Sequence, residues 1–177
     1  MLGFHRISSV SDPFFEKLYN LYIRAFPLNE RRSWEGLEHT LLYEKKFNPQ
    51  VLLQNNQFVG FLNYWTFDRF LYIEHFAIVD NMRNQKIGSE VIGLFKEHAK
   101  LPIILEVEIP NNPLATRRIE FYKRLGFSVL SNDYNQPPYE GEGGLIPMQI
   151  MCNDVEFGTQ YFELIKETLY SKVYNWK

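Results

Sequence analysis

A polar turn between an apolar strand and an amphipathic helix is the part of the sequence best suited to hold an anion. The turn runs from Asp80 to Ser89 and contains two cations, Arg83 and Lys86. A turn that leads into a helix presents unpaired backbone N–H groups and the positive end of the helix dipole. Such a place binds phosphate or pyrophosphate. We therefore predict that this turn holds a phosphate-bearing ligand.

Titratable side chains lie in the two strands that flank the helix after this turn. Glu74 and His75 are neighbours in the strand before the turn, and Glu106 and Glu108 lie two residues apart in the following apolar strand. Successive side chains of a regular strand point to opposite faces, whereas residues two apart share a face. We therefore expect only one of Glu74 and His75 to face a cleft, and Glu106 and Glu108 to lie on one face.

The elements that position these residues follow the order β-α-α-β-β-β-α-β-α-β-β-α. This order predicts a mixed α/β fold with a central, mostly antiparallel sheet, one βαβ crossover and helices on both faces. We expect a single domain, residues 1–177, with a core over about 1–152 and a C-terminal helix over about 156–175. A long loop is expected over 132–144. The predicted strands are 4–10, 51–54, 58–67, 70–79, 103–109, 127–130 and 145–152, and the predicted helices are 14–25, 33–46, 89–100, 113–125 and 157–169.

Composition excludes several functional classes. The net charge of −2 argues against a nucleic-acid platform, and the lone Cys152 excludes an internal disulfide and a cysteine zinc site. The histidines are scattered, so no metal site is expected.

The first residues lack the apolar region of a signal peptide, and no apolar stretch could span a bilayer. We expect a cytoplasmic protein without a membrane partner, and aromatic residues on the last helix would suit a homodimer.

Two ordered motifs identify a family. Arg83-Asn84-Gln85-Lys86-Ile87-Gly88 matches the pattern Gln/Arg-x-x-Gly-x-Gly/Ala, and Phe121-Tyr122-Lys123-Arg124-Leu125-Gly126-Phe127 is similar to a helix ending in Tyr-x-x-x-Gly-Phe. Together they resemble the GNAT superfamily of N-acetyltransferases. The chain departs from the family pattern at Lys86, where the first glycine usually stands, and at Ala115, where an asparagine is common.

The resemblance implies acetyl-CoA as donor, a primary amine as acceptor, and direct attack without an acyl-enzyme. By resemblance, the backbone of the turn would bind the pyrophosphate, and a strand edge before it would pair with the pantetheine amides. Asn112 would replace the missing asparagine contact, unless Asn111 does. The residues expected to contact acetyl-CoA are Phe76, Ala77, Ile78, Arg83, Asn84, Gln85, Lys86, Ile87, Gly88, Ser89 and Asn112.

The resemblance also assigns catalytic roles. Tyr122 matches the family's general acid, which protonates the leaving thiolate; the alternative is a core tyrosine bonded to a backbone carbonyl. Glu74 is our choice of general base, directly or through water, although structural and substrate-binding roles stay open. His75 is the other candidate, against the alternative of a hydrogen-bonded core histidine. A backbone N–H near Ile78 would stabilise the oxyanion.

Five residues are expected near the acceptor. Arg31 and Arg32, between the first two helices, would hold a substrate carboxylate unless they form a solvated pair at a helix start. Glu106 and Glu108 would either attract a cationic amine or pair with arginines of the next helix, since buried carboxylates need partners. Tyr139, on the long loop, would line the pocket or cap the groove.

The sequence therefore predicts an N-acetyltransferase that acts on a small-molecule amine, an amino acid or a peptide. A non-catalytic acyl-CoA-binding sensor is the alternative that would share cofactor binding but release no thiol. A third possibility, an interaction domain with an aromatic surface, would bind no CoA. The identity of the acceptor does not follow from the motifs.

Overall fold

The computed structural model describes residues 1–130, 133–139 and 143–176. Its contacts divide the chain into two compact units, Met1–His98 and Ala99–Lys177. Residues 132 and 140–142 of the predicted loop lie outside the described residues. The single-domain organisation expected from the sequence stays a prediction. In the described residues, no helix is both long and apolar enough to cross a membrane.

The first unit is an antiparallel sheet in which each strand pairs with the next one along the chain. The turn between its second and third strands contains Asn55 and Asn56, both at positive φ (51° and 63°). This is the conformation that two-residue hairpin turns require. The elements are β1 (Leu2–Arg6), α1 (Phe15–Ala25), α2 (Trp34–Tyr43), β2 (Phe47–Gln54), β3 (Gln57–Thr66), β4 (Leu71–Ile78) and α3 (Ile87–His98).

Helices cover both faces of this sheet. On one face, the ring of Tyr22 in α1 lies 6.0 Å from that of Phe61 in β3. On the other face, Tyr64 of β3 packs 4.9 Å from Phe95 of α3. The Ser33 side chain accepts a hydrogen bond from the Gly36 N–H at 3.0 Å, which fixes the start of α2 as its sequence predicts.

Gly60 allows β3 and β4 to approach closely, and we expect Gly60→Ala to destabilise the protein by about 1–3 kcal/mol. A Cβ added at Gly60 would lie 2.3 Å from the Ala77 carbonyl oxygen, so the backbone must move. Gly93→Ala is the matched control, because a Cβ there meets nothing within 4 Å. Alanine at this position inside helix α3 should raise the free energy of unfolding by about 0.5–1 kcal/mol. Urea unfolding of both variants measures the difference; equal stabilities would contradict the expectation.

The elements of the second unit are β5 (Ile103–Glu108), α4 (Pro113–Arg124), β6 (Ser128–Val129), β7 (Tyr134–Gln136), β8 (Ile146–Cys152), α5 (Val155–Gln160) and α6 (Phe162–Thr168), followed by a π-helix (Leu169–Val173). β8 pairs antiparallel with β5, β6 and β7. Asn112 caps helix α4 by accepting a hydrogen bond from the Ala115 N–H at 2.9 Å, as the Asn-Pro sequence predicts.

The structure corrects several element boundaries. The predicted loop over 132–144 contains a strand, β7, because its backbone pairs with β8. The predicted closing helix is broken at Tyr161 and ends in a π-helix. The first strand lies earlier than predicted, at Leu2–Arg6, and β2 begins at Phe47, where it pairs with Trp65. The mixed α/β class with mostly antiparallel strands is confirmed.

Candidate active site

The polar turn after β4 has the backbone of an anion cradle. A single 3₁₀ turn (Asp80–Met82) follows the strand, and helix α3 begins at Ile87. Asn84 and Lys86 both adopt φ 63°, with Gln85 between them. Lys86 therefore holds the left-handed conformation at the position where the family pattern has glycine. A non-glycine residue accepts this conformation at a cost of about 1–2 kcal/mol.

The N–H groups at the start of α3 provide the donors. The Glu90 N–H makes the first backbone bond of the helix, to the Lys86 carbonyl at 3.0 Å. The preceding N–H groups of Ile87, Gly88 and Ser89 have no partner within the helix, as at every helix start. Backbone of alternating φ sign gathers such N–H groups into a concave nest that fits a phosphate. The donor set therefore suits the pyrophosphate expected from the sequence.

Arg83 braces this turn. Its Nε donates to the Ile78 carbonyl at 3.2 Å, and its Nη1 lies 2.9 Å from the Asp80 carboxylate. Gln85 donates to the Asn81 carbonyl at 3.1 Å. Both side chains therefore hold the loop's own backbone, and Asp80 offsets part of the Arg83 charge.

A β-bulge in β4 corrects the expectation that Glu74 and His75 point to opposite faces. Asn63 pairs with His75 and Tyr64 pairs with Ile73, so Glu74 is an extra residue without a counterpart in β3. At such a bulge the alternation of side chains is interrupted. The His75 Nδ1 lies 3.8 Å from the Glu74 Oε2 as a result. Both side chains thus lie on one side of the sheet.

Glu74 forms a buried ion pair with Arg32. The Arg32 Nη1 donates to the Glu74 Oε1, and the Trp65 Nε1 donates to Oε2 at 2.9 Å. The two charged side chains are 6% and 0% exposed. Burial alone would raise the pKa of Glu74, but the Arg32 charge, with smaller contributions from His75 and Trp65, holds that pKa below its ordinary value. Glu74 is therefore an anion at neutral pH.

This ion pair corrects the expected surroundings of Arg32. The guanidinium lies 5.8 Å from the Trp65 ring centroid and 6.0 Å from that of Phe47. The Arg32 backbone N–H donates to the Tyr22 hydroxyl at 2.7 Å. Arg32 is therefore not part of a solvated pair, because aromatic rings and Glu74 enclose it. Arg31 differs: its Nε donates to the Phe26 carbonyl at 3.2 Å, and it keeps partial exposure.

His75 is a buried, neutral imidazole. Its Nε2 must donate to the Glu30 carbonyl, 2.9 Å away, because a carbonyl only accepts. The rings of Tyr22 and Phe26 pack edge-on at 4.8 and 4.5 Å. Burial lowers the pKa of His75 to about 4, although the Glu74 charge opposes this shift. The tautomer protonated at Nε2 therefore prevails at neutral pH.

Tyr122 in the second unit is a buried phenol. Its ring packs 5.1 Å from Phe121 and 5.7 Å from Phe127. Burial raises the pKa of Tyr122 to about 12, with Arg118 opposing the shift. The hydroxyl is therefore fully protonated at neutral pH.

Asn112, expected to contact the cofactor, has its side-chain oxygen committed to the cap of α4.

The two carboxylates of β5 have different partners. Glu108 pairs with Arg118 at 2.6 Å, so the predicted ion pair with the following helix is present. Glu106 accepts from the Tyr134 hydroxyl and, at 2.6 Å, from the Tyr174 hydroxyl. Tyr139 is buried, with its ring 5.0 Å from that of Tyr174.

Sequence reasoning missed several residues that hold these sites together. Trp65 forms a hydrogen bond with Glu74, and Tyr22 forms one with the Arg32 backbone. Tyr134 and Tyr174 form hydrogen bonds with Glu106. Asn63, opposite His75, is fully buried, and within the described part of the chain neither polar atom of its amide has a hydrogen-bond partner. The aromatic richness of the chain was the one sequence feature that pointed to such contacts.

Comparisons with known proteins agree with this fold. The family profile described as the acetyltransferase (GNAT) family matches residues 15–127. A solved structure assigned to the GNAT-family acetyltransferases, from Bacteroides thetaiotaomicron, is 34% identical, with 99% of each chain covered and a TM-score of 0.93. A search of curated proteins found no match.

More distant structures share the fold alone. The ribosomal-protein-S18-alanine N-acetyltransferase of Escherichia coli is 17% identical, covers 86% of this chain and 92% of its own, and has a TM-score of 0.59. A GNAT-family acetyltransferase from Elizabethkingia anophelis, solved with acetyl-CoA bound, is 16% identical, covers 85% and 95%, and has a TM-score of 0.58.

The profile spans more than half of the chain, and the Bacteroides structure aligns along nearly all of it. These two findings confirm the family resemblance that the Arg83–Gly88 and Phe121–Phe127 motifs indicate. They also confirm the enzyme class, an acyltransferase. The chain belongs to the GNAT acetyltransferase family.

Proposed function

We propose that this protein transfers the acetyl group of acetyl-CoA to a primary amine by direct attack within a ternary complex. The turn before α3 carries the proposal. Its alternating backbone at Asn84 and Lys86, and the N–H groups that begin the helix, form a donor set for a diphosphate. Acetyl-CoA has such a diphosphate, and one relative in the family fold is solved with acetyl-CoA bound.

In the proposed reaction the amine lone pair attacks the thioester carbon. A C–N bond forms, the C–S bond breaks, and the electron pair leaves on sulfur. The Tyr122 phenol would donate its hydrogen to that sulfur and regain a proton from solvent. Overall, one proton moves from nitrogen to sulfur. Holding both reactants in one complex supplies much of the rate, because the attack becomes effectively unimolecular.

Glu74 as the general base stays a prediction, and its geometry favours a positioning role. A general base works best when its pKa lies near the working pH. Arg32 and Trp65 lower the proton affinity of Glu74, and the pKa of His75 is about 4. Both groups are therefore weak bases. We propose that Glu74 holds Arg32 in place together with the wall around His75, which consists of the Tyr22 and Phe26 rings. Water would then accept the amine proton.

The two arginines before α2 have different proposed roles. Arg32 is bound to Glu74, so we propose that it positions this wall and does not hold a substrate carboxylate. Arg31 keeps partial exposure, and its proposed role at the acceptor rests on its place between α1 and α2.

Free-thiol release from acetyl-CoA, measured against a panel of primary amines, tests the proposed function. We expect thiol release that depends on the amine and saturates with acetyl-CoA, together with an equimolar N-acetylated product by mass spectrometry. Calorimetry with CoA alone tests the anion cradle separately. Absence of CoA binding would remove the observation on which the proposal rests.

Lys86→Gly tests whether the Lys86 cation assists the cradle. Glycine removes the strain of the left-handed backbone but loses about 0.5–1 kcal/mol more in conformational entropy on folding, so we expect the net gain in stability to be about 1 kcal/mol or less. The Kd for CoA should rise about three- to tenfold at low salt, since an exposed cation–phosphate contact is modest. The difference should shrink at high salt because ions screen exposed charges. An unchanged Kd at low salt would show that the backbone alone binds the anion.

A further inference from the structure

Strand β1 forms an edge of the sheet. In the part of the chain that the structure describes, it pairs with β2 alone. The Ile7 N–H donates to the Pro49 carbonyl at 3.0 Å, and the Asn55 N–H donates to the Met1 carbonyl at 3.3 Å. These two bonds extend the ladder between β1 and β2 at either end. They therefore determine which residues of β1 bond to β2.

Three residues of β1 present both of their backbone groups at the open edge. The hydrogen bonds of an antiparallel pair recur at every second residue. Because Met1 and Ile7 bond to β2, the residues Gly3 and His5 between them do so as well. The N–H and C=O groups of the alternate residues point away from β2, and no described backbone group bonds to them. These outward residues are Leu2, Phe4 and Arg6.

The middle of this edge has none of the features that block pairing with another strand. Native proteins protect exposed edges with proline, with a β-bulge or with charged side chains, lysine above all. The sequence of β1 is Leu-Gly-Phe-His-Arg, without proline or lysine, and its register with β2 has no shift. Phe4, at the centre of the strand, is 39% exposed. A regular, exposed edge of this kind is a template for a further strand.

Gly3 is a separate indication that another backbone lies close to this edge. Glycine weakens a strand and often marks the close approach of another backbone. A Cβ added at Gly3 would meet only the Leu53 carbonyl oxygen, at 3.9 Å, which is an ordinary van der Waals distance. The described residues therefore give no packing reason for a glycine at this position. A strand from outside the chain would give one.

We propose that β1 pairs with β1 of a second copy of this chain, antiparallel and centred on Phe4, so that the sheet continues from one copy into the other. Phe4 then faces the partner's Phe4, and Leu2 faces the partner's Arg6. Each bonded pair of an antiparallel ladder exchanges two bonds, which gives about six hydrogen bonds. This number falls within the range of about 5–15 that specific interfaces have. The proposal does not depend on acetyl transfer.

The strand is self-complementary in this register alone. A register centred on Gly3 or on His5 would leave one outward residue of each copy beyond the end of the partner's β1. The register centred on Phe4 gives every outward N–H and C=O of both copies a partner. A twofold axis relates the two copies, and this is the commonest symmetry of protein oligomers.

The side chains are compatible with this pairing. Arg6 faces the partner's Leu2, so the two Arg6 positions lie about 14 Å apart along the strands and like charges do not meet. On the other face of the sheet, Gly3 lies opposite the partner's His5. The ring of His5 is held by Asp12 at 2.8 Å. Because glycine has no side chain, the pairing leaves that contact undisturbed.

Sedimentation velocity over about a hundredfold range of protein concentration measures the association. We expect a monomer–dimer equilibrium in the parent protein. Arg6→Pro should raise the dimer Kd at least about tenfold, because proline removes an outward N–H from each copy and leaves the bonds to β2 intact. Arg6→Val is the matched control, since it loses the same side chain but keeps the N–H, and its Kd should stay within about threefold. A parent protein that is monomeric throughout, or equal Kd values for the two variants, would overturn the proposal.

Disulfide trapping tests the register and does not require Arg6→Pro to fold. The single native cysteine, Cys152, is buried, so a cysteine introduced on β1 is the accessible thiol of its chain. Phe4→Cys should give a covalent dimer on mild oxidation, because facing residues of a bonded pair lie about 5.5 Å apart at Cα, within disulfide reach. Arg6→Cys alone should not cross-link, whereas an equal mixture of Arg6→Cys and Leu2→Cys should. A covalent dimer of Arg6→Cys alone, or none of Phe4→Cys, would contradict the pairing.

Leu164→Asn separates this interface from the last helix, whose aromatic residues the sequence also suggests for a homodimer. Leu164 lies on α6 and is 40% exposed. We expect Leu164→Asn to leave both the dimer Kd and the Phe4→Cys cross-link unchanged. If Leu164→Asn abolishes the dimer and Arg6→Pro does not, the interface lies at the last helix and the proposal is wrong.

Discussion

Glu74→Gln is expected to lower the free energy of unfolding by about 3–5 kcal/mol, because it leaves the buried Arg32 guanidinium without its opposing charge. The two charged side chains are 0% and 6% exposed, so water cannot replace the lost partner. Chemical denaturation monitored by Trp fluorescence measures the change. Glu97→Gln, an exposed carboxylate on α3, is the control and should shift stability by less than about 0.5 kcal/mol.

The double variant Arg32→Met/Glu74→Gln separates the ion pair from other roles of Glu74. Removing both charges eliminates the uncompensated cation, so we expect the double variant to be more stable than Glu74→Gln. A double variant that is less stable by the sum of both single effects would mean that the two charges do not interact. That result would contradict the buried pair.

Kinetics of the same variants decide whether Glu74 is a base. If Glu74 positions the wall around His75, the variants lose kcat while the pH dependence of kcat/KM keeps its shape. If Glu74 accepts the amine proton, the acidic limb of that profile shifts to higher pH in the variants, and activity recovers as rising pH supplies free amine. Recovery of that kind would restore the role that the sequence assigns to Glu74.

Local chemistry made part of this site predictable. The turn from Arg83 to Gly88 and the Asn112 cap depend on residues within one helical turn of each other, so a short stretch of sequence specifies them. The pair of Glu108 with Arg118 was also within reach, because a partly buried carboxylate beside an arginine-rich helix has few other partners.

Contacts between distant segments were not predictable in the same way. The bulge at Glu74 depends on how β4 aligns with β3, and no residue type in β4 marks the extra position. Two prolines, Pro137 and Pro138, follow β7 directly, yet the pairing of β7 with β8 outweighs the local preference for a loop. Tyr174 is 68 residues away from its carboxylate partner, Glu106. Periodicity describes a single element, and these features arise between elements.

Tyr122→Phe is expected to lower kcat for acetyl transfer by about 100-fold, a typical loss on removal of a general acid. Phenylalanine keeps the packing against Phe121 and Phe127, so the fold and the Kd for CoA should change little. Tyr43→Phe, which removes a phenol that is 68% exposed, is the matched control and should retain parental activity. Stopped assays of thiol release and calorimetry with CoA give the two quantities.

The size of the loss in kcat, and not the shape of the pH profile, distinguishes a general acid from a core tyrosine. Because burial raises the pKa of Tyr122 to about 12, its phenol stays protonated throughout the accessible range, and activity should show no basic limb from Tyr122 below about pH 10. The Tyr122→Phe profile should therefore be parallel to the parent profile and lower at every pH. A core tyrosine predicts instead that kcat stays within about twofold while only stability changes. In that case sulfur must obtain its proton from water, and Tyr122 has no catalytic role.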